Sequence, residues 1–158
     1  MNSKGFTLIE LVVVIVILGI LAVTAVPKYI NLQADARTAT LEGVKAAMQG
    51  ASALVYSKSL VKGNQGLSVF NNPTPTITLT DGTELDINYG YPRFQASDWQ
   101  SILHLDSNDF LMNTTRDSKL IIFPESLGFV SSVNADCIVI YQQATSINKP
   151  IITVNPCL

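Results

Sequence analysis

Histidine is almost missing from this chain, and charge of either sign is thin. Its 158 residues include one histidine, His104, and Asp, Glu, Lys and Arg together make up 14%. A net charge of −2 with no basic cluster leaves no electrostatic footprint for nucleic acid. The acidic residues are scattered and form no tail. Cys137 and Cys157, without partner histidines, are too few for a zinc site. There is no phosphate-binding glycine loop, no serine elbow and no thiolate motif. His104, between Leu103 and Leu105, reads as a surface or partly buried polar residue rather than a general base. Asp106-Ser107-Asn108-Asp109 and Asp81-Gly82-Thr83-Glu84 gather oxygens without the spacing of an EF-hand, and capping of loops by Asp and Asn explains both. The expectation is a protein that is not an enzyme and holds no metal or cofactor. Repeats are absent too, and the chain is too short for two large domains.

What is present is a long apolar run. Phe6 to Val26 would make about 31 Å of α-helix, enough to cross a bilayer core. Its one ionisable side chain is Glu10, and a carboxylate in hydrocarbon is costly unless neutralised or paired. The run contains no lysine or arginine to do so. Cleavage after Gly5 would supply the cation, because Phe6 would then carry a free α-amino group that could pair with Glu10 of a neighbouring copy. The leader, Met1 to Gly5 with Lys4, differs from a secretory signal, in which the apolar core is removed with the cut.

Lys4-Gly5-Phe6-Thr7-Leu8-Ile9-Glu10, followed by Leu11-Val12-Val13-Val14-Ile15, resembles the class III signal of type IV prepilins and pseudopilins. The resemblance implies cleavage after Gly5 by a prepilin peptidase, N-methylation of Phe6, and an assembly role for Glu10. From Gly5 through Ser57, with Tyr89-Gly90-Tyr91-Pro92 further on, the chain is similar to the mannose-sensitive haemagglutinin pilins (MSHA) of aquatic Gram-negative bacteria. The N-terminal third carries most of that likeness.

Two positions interrupt the apolar helix. Gly19 weakens it by ~1 kcal/mol and Pro27 by ~3 kcal/mol or more if interior. Membrane helices tolerate both residues; the resemblance adds an assembly role, in which the segment between them straightens or unwinds in a filament. Beyond Pro27, Leu41, Val44, Met48, Ala51 and Val55 recur at spacings of three and four, with Asp35, Arg37, Glu42 and Lys45 largely off that face. The spacing predicts a helix continuous with the anchor to about Ser57, ended by Gly63 and Gly66, whose stripe needs a sheet to cover it.

The remainder reads as short strands and loops. Thr76–Thr80 and Thr83–Ile87 alternate around Asp81-Gly82. A two-residue loop would pair Leu79 with Glu84 and set the two apolar faces in opposition. A three-residue loop, Thr80-Asp81-Gly82, pairs Ile77 with Leu85 and puts Gly82 in the left-handed position. Ser97 and Gln100 predict a capping box for a short helix bearing Trp99, Ile102 and Leu103. Lys119–Phe123, Cys137–Tyr141 and Ile151–Val154 are further strand candidates. Tyr89, Tyr91, Phe94 and Trp99 either fill a small core or, if exposed, offer stacking faces to a sugar.

An even cysteine count in an exported chain argues for a Cys137–Cys157 disulfide, worth ~3 kcal/mol for a loop of this size, with a pair of buried thiols as the alternative. Lys4 favours a cytoplasmic N-terminus, but Lys28 and Arg37 flank the other side. Oxidation of the cysteines would place the C-terminal part outside the inner membrane.

These readings give an α+β fold: a long N-terminal helix packed on an antiparallel sheet, the pilin-like roll, with a C-terminal disulfide loop. Residues 1–5 are expected to be a leader, 6–28 a transmembrane and polymerisation helix, 29–58 its amphipathic continuation, and 59–158 a β-rich head. The resemblance implies a homopolymer used in adhesion and biofilm formation, in the inner membrane as a single-pass precursor and then extracellular as a pilus on a Gram-negative bacterium. Its partners would be further copies, the prepilin peptidase, the assembly platform and ATPase, and host or surface glycans. The rival readings are a type II secretion pseudopilin and a monomeric membrane-anchored binding protein. The disulfide-bounded C-terminal loop is a pilin habit, whereas major pseudopilins typically rely on calcium.

Overall fold

The computed structural model describes residues 5–158; Met1 to Lys4, and with them the expected role of Lys4, lie outside the described residues, as do the side chains of Val26, Pro27, Ile30 and Asn31. The first element, α1 (Leu8–Lys62), is a helix of 55 residues that runs through Gly19 and Pro27 without a break. It passes Ser57, where its end was expected, because the stop signal lies further on. Gly63 takes φ 74°, its amide reaches Leu60 O, and Asn64 N reaches Ser59 O, closing the last turn as a left-handed glycine cap does. Ser59 is buried and its hydroxyl donates to Asn64 Oδ1 at 2.8 Å.

Seven strands follow in two antiparallel sheets. The first holds β1 (Thr76–Thr78), β2 (Glu84–Asn88) and β3 (Tyr91–Pro92) in that order; the second holds β4 (Phe110–Thr114), β5 (Lys119–Pro124), β6 (Ile138–Gln142) and β7 (Ile151–Asn155). The β1–β2 register pairs Ile77 with Leu85, and Leu79 N donates to Thr83 O across a three-residue loop with Gly82 at φ 88°. That is the expected turn, with both apolar residues on the buried face. The β2–β3 turn is tighter. Tyr89 and Gly90 both have positive φ, 50° and 82°, the conformation of a two-residue hairpin loop that follows strand twist.

The apolar run Leu120-Ile121-Ile122-Phe123 is buried on both faces. Leu120 and Ile122, with Val139 and Tyr141, join Leu41, Val44, Met48 and Trp99 in the main core. Ile121, Phe123 and Ile138 face away and are covered by Val130, Val133 and Ala135. Asn113 Nδ2 donates to Val130 O, and Asn155 Nδ2 donates to Val133 O and Ala135 O, at 2.8 to 3.0 Å, holding the covering loop down. A smaller core of Val55, Ile77, Leu85 and Ile87 lies under the first sheet. Buried Asn88 links the parts, accepting from Val69 N and donating to Ala144 O.

Between the sheets lies α2 (Ala96–Ile102). The expected capping box at Ser97 and Gln100 is not formed: Gln95 is the cap residue and makes no side-chain cap bond. Tertiary contacts set the start instead. Arg93 draws Asp98 into an ion pair at 2.8 Å and also reaches Asp86 at 2.9 Å. Trp99 Nε1 donates to Arg93 O.

The direction of β7 fixes the head on α1. Ile152 shares a groove with Gln49 and Tyr56, while Cys157 N donates to Thr38 Oγ1 at 2.9 Å. The strand therefore runs back along α1 toward its N-terminal half.

Candidate assembly site

From Phe6 to Val23 the large apolar side chains are exposed among the described residues, Phe6 at 78% and Leu8 at 80%. Leu8–Ala25 is long and apolar enough to cross a membrane by length and composition. The change to a buried stripe comes at Leu41, Val44, Met48 and Val55, all within the core, with Ala51 partly buried beside them. A single helix thus carries two solvents' worth of pattern: one half clad in hydrocarbon all round, one half amphipathic.

Gly5 and Phe6 are exposed and precede the helix. Thr7 is its cap residue and Glu10 completes a reciprocal box. Glu10 N donates to Thr7 Oγ1 at 3.4 Å, and Glu10 Oε2 accepts from Thr7 N at 2.8 Å and Thr7 Oγ1 at 2.7 Å. Gly5 and Phe6 thus directly precede the cap residue, and Glu10 lies in the first turn behind it. Sequence reasoning overlooked Thr7, although Thr7-Leu8-Ile9-Glu10 has the capping-box spacing. Gly19 has open space around it, so packing within one chain does not explain the glycine.

Cys137 and Cys157 form a disulfide. Both are largely buried beside α1, and the Cys157 amide is held by Thr38.

The aromatic candidates separate by environment. Trp99 is fully buried and meets Tyr141 edge-on, with ring centroids 4.6 Å apart. Phe94 packs against the same core. Tyr91 is half-buried and stacks on Tyr56 at 4.6 Å, which covers one face of its ring. Burial pushes its phenol pKa up. His104 is exposed at the edge of a groove. Asp81 caps its own turn: the Thr83 backbone N–H, then its hydroxyl, hold the carboxyl below the usual range. Asp106 Oδ1 likewise accepts from Asn108 N and Nδ2. Among the described residues no group of three or more His, Cys, Asp or Glu could hold a metal ion.

Residues 1–26 match the family described as the prokaryotic N-terminal methylation motif. Over 75 residues the chain is 44% identical to the type IV narrow pilus major component PilA5 of Thermus thermophilus, a match covering 46% of this chain and 62% of that protein. The chain therefore spans about three-fifths of that relative's length. No solved structure matches it. The methylation motif coincides with the unpartnered half of α1, and Gly5, Phe6 and Glu10 all fall inside it.

Proposed function

We propose that this chain is the repeating subunit of a type IV pilus. The observation that carries the reading is the apolar half of α1, which stands exposed among the described residues while the other half is seated on the sheet. In this mechanism the segment inserts in the inner membrane, a prepilin peptidase removes residues 1–5, and Phe6 becomes the methylated N-terminus. The Phe6 amine of one copy then neutralises Glu10 of its neighbour, a pairing favoured by the low dielectric among packed helices. Lipid tails are as apolar as neighbouring helices, so apolar burial drives association only once the segment leaves the membrane. An assembly platform and ATPase supply that work. Gly19 and Pro27 would let the helix adjust as copies pack.

The finer placing is among the mannose-sensitive haemagglutinin pilins of Gram-negative bacteria, with roles in adhesion and biofilm formation and glycans as surface partners. It rests on Gly5 through Ser57 and on the Tyr89-Gly90-Tyr91-Pro92 turn. With Trp99, Phe94 and Tyr91 packed, contact with a sugar would fall to the partly exposed Tyr89, to other head surfaces or to a tip subunit.

The intact mass of the protein in material sheared from cells tests the reading. A species lacking residues 1–5, carrying one added methyl and short of two hydrogens supports it. The same processed chain confined to the envelope would favour a pseudopilin, and an unprocessed chain would remove the mechanism.

A further inference from the structure

The head has an apolar groove at one end and exposed apolar side chains at the other. The groove lies between the last turns of α1 and the β1–β2 hairpin, where two adjoining hollows of about 290 and 630 Å³ share Leu54, Lys58, Ile77 and Thr80. Leu54 is 70% and Val61 92% exposed there. Lys58 and Lys62 edge it, donating to Thr78 O at 3.0 Å and Thr76 Oγ1 at 3.3 Å. Their hydrogen-bond acceptors on the hairpin are neutral, and the one carboxylate lining the groove, Asp81, also attracts Lys58.

At the other end β5 runs out through Pro124 into a 3₁₀ turn, Glu125–Leu127, and then Gly128 and Phe129. Phe129 is 83% exposed and Leu127 is exposed beside it. Glu125, whose amide donates to Asp109 O, and Asp109 itself are exposed there and acidic.

Strand register shows that these ends are opposed. Ile122 pairs with Val139, and Ile138 with Asn155, so Pro124 lies at the Asn155 end of the sheet. That end is moored at Thr38 through Cys157. From Thr38 to Lys58 is about 30 Å along the helix. Phe70 and Ile147 are exposed too, but Phe70 follows the end of α1 and Ile147 joins β6 to β7, both at the groove's own end.

We propose that in the polymer Leu127 and Phe129 of one copy seat in the Leu54–Val61–Ile77 groove of another, with Glu125 facing Lys58 and Lys62. The proposal rests on the pilus reading and adds a head-to-head contact to it. Two unlike patches at opposite ends of one molecule make a heterologous interface, which propagates as an open helix instead of closing as a dimer. Apolar knob and groove supply the burial, and opposite charge at the rim fixes orientation. Copies in direct contact would be offset by roughly 30 Å along α1.

The test is a benzophenone amino acid in place of Phe129 in the full chain, photolysed in sheared filaments and mapped by mass spectrometry. The expected product joins position 129 to the peptide bearing Leu54–Lys62 or Ile77–Thr80 of a different copy, and the probe at Leu54 should return the reciprocal product. Adducts elsewhere, adducts to another protein, or none in filaments that assemble would overturn the contact and leave the pilus reading intact. Absence of filaments from the unsubstituted chain would overturn that reading, and the contact with it. Lys58→Glu should lower filament yield and addition of Glu125→Lys should restore it; no restoration between folded chains argues against the charge match.

Discussion

Gly90 and Tyr56 are in contact so close that a Cβ added to the glycine would stand 2.8 Å from Tyr56 Cδ2. The same Cβ would meet Gln65 Cβ at 3.1 Å, and the backbone there has φ +82°. Gly90→Ala therefore combines a left-handed backbone with overpacking, and is expected to destabilise by about 2–4 kcal/mol. Urea denaturation of the detergent-solubilised chain measures this, and a midpoint within error of the parent would refute it.

Tyr141 gives a pH dependence with a definite sign. Its hydroxyl donates to Pro92 O at 2.6 Å from a fully buried ring. Burial raises its pKa strongly above the ordinary value of 10.0. The neutral form is thus favoured in the fold, and its contribution is complete below the unfolded pKa and is lost as pH rises beyond about 10. Stability should fall above that pH. Tyr141→Phe should flatten the Tyr141 part of the slope while starting about 1–3 kcal/mol lower, since Pro92 O loses its donor. Unfolding curves from pH 8 to 11 decide it; identical slopes for both chains would count against the account.

Reducing the Cys137–Cys157 bond opens a loop with a sequence separation of 20. The expected loss is ~3 kcal/mol, with the double serine variant matching the reduced parent. Faster exchange of the Cys157 amide, now bonded to Thr38, should accompany it. Protection unchanged on reduction would show that Thr38 alone holds the strand end.

Glu10 has two separable duties. Its carboxylate closes a capping box with Thr7, and in the proposed mechanism it also meets a neighbour's amine. Glu10→Gln keeps an acceptor for the cap, since glutamine serves in such boxes, but removes the charge. Glu10→Ala removes both and should loosen the helix start. If charge pairing drives assembly, both variants lose filaments; filaments from the glutamine variant alone would assign Glu10 to capping only.

Much of the fold was legible where one physical constraint dominated. The hairpin loop length followed from the requirement that Ile77 and Leu85 share a face, and the structure has that pairing. The stripe Leu41, Val44, Met48, Val55 is buried for the reason its spacing suggests. Strand β4 was missed because Phe110 to Thr114 are all half-buried, which erases the alternation that marks a strand. The start of α2 was misplaced because the Arg93–Asp98 ion pair, invisible in local sequence, competes with local capping. At the helix start, the spacing of Gly5, Phe6 and Glu10 pointed to the methylation motif that residues 1–26 match. Thr7 stood out less, because the lone acid of an apolar run points to a partner in another molecule, which masks the capping-box spacing of Thr7 and Glu10.

Because β7 runs back along α1 and its end is clasped at Thr38 by the Cys157 amide, tension along the helix would reach the second sheet lengthwise. The β6–β7 hydrogen bonds, from Ile138–Asn155 to Gln142–Ile151, stand across that line of pull and are loaded together in shear. A ladder loaded that way yields by a concerted rupture governed by an unfolding rate, not by unzipping from one end. Under such a load the head would stay closed until the whole β6–β7 ladder gave way at once.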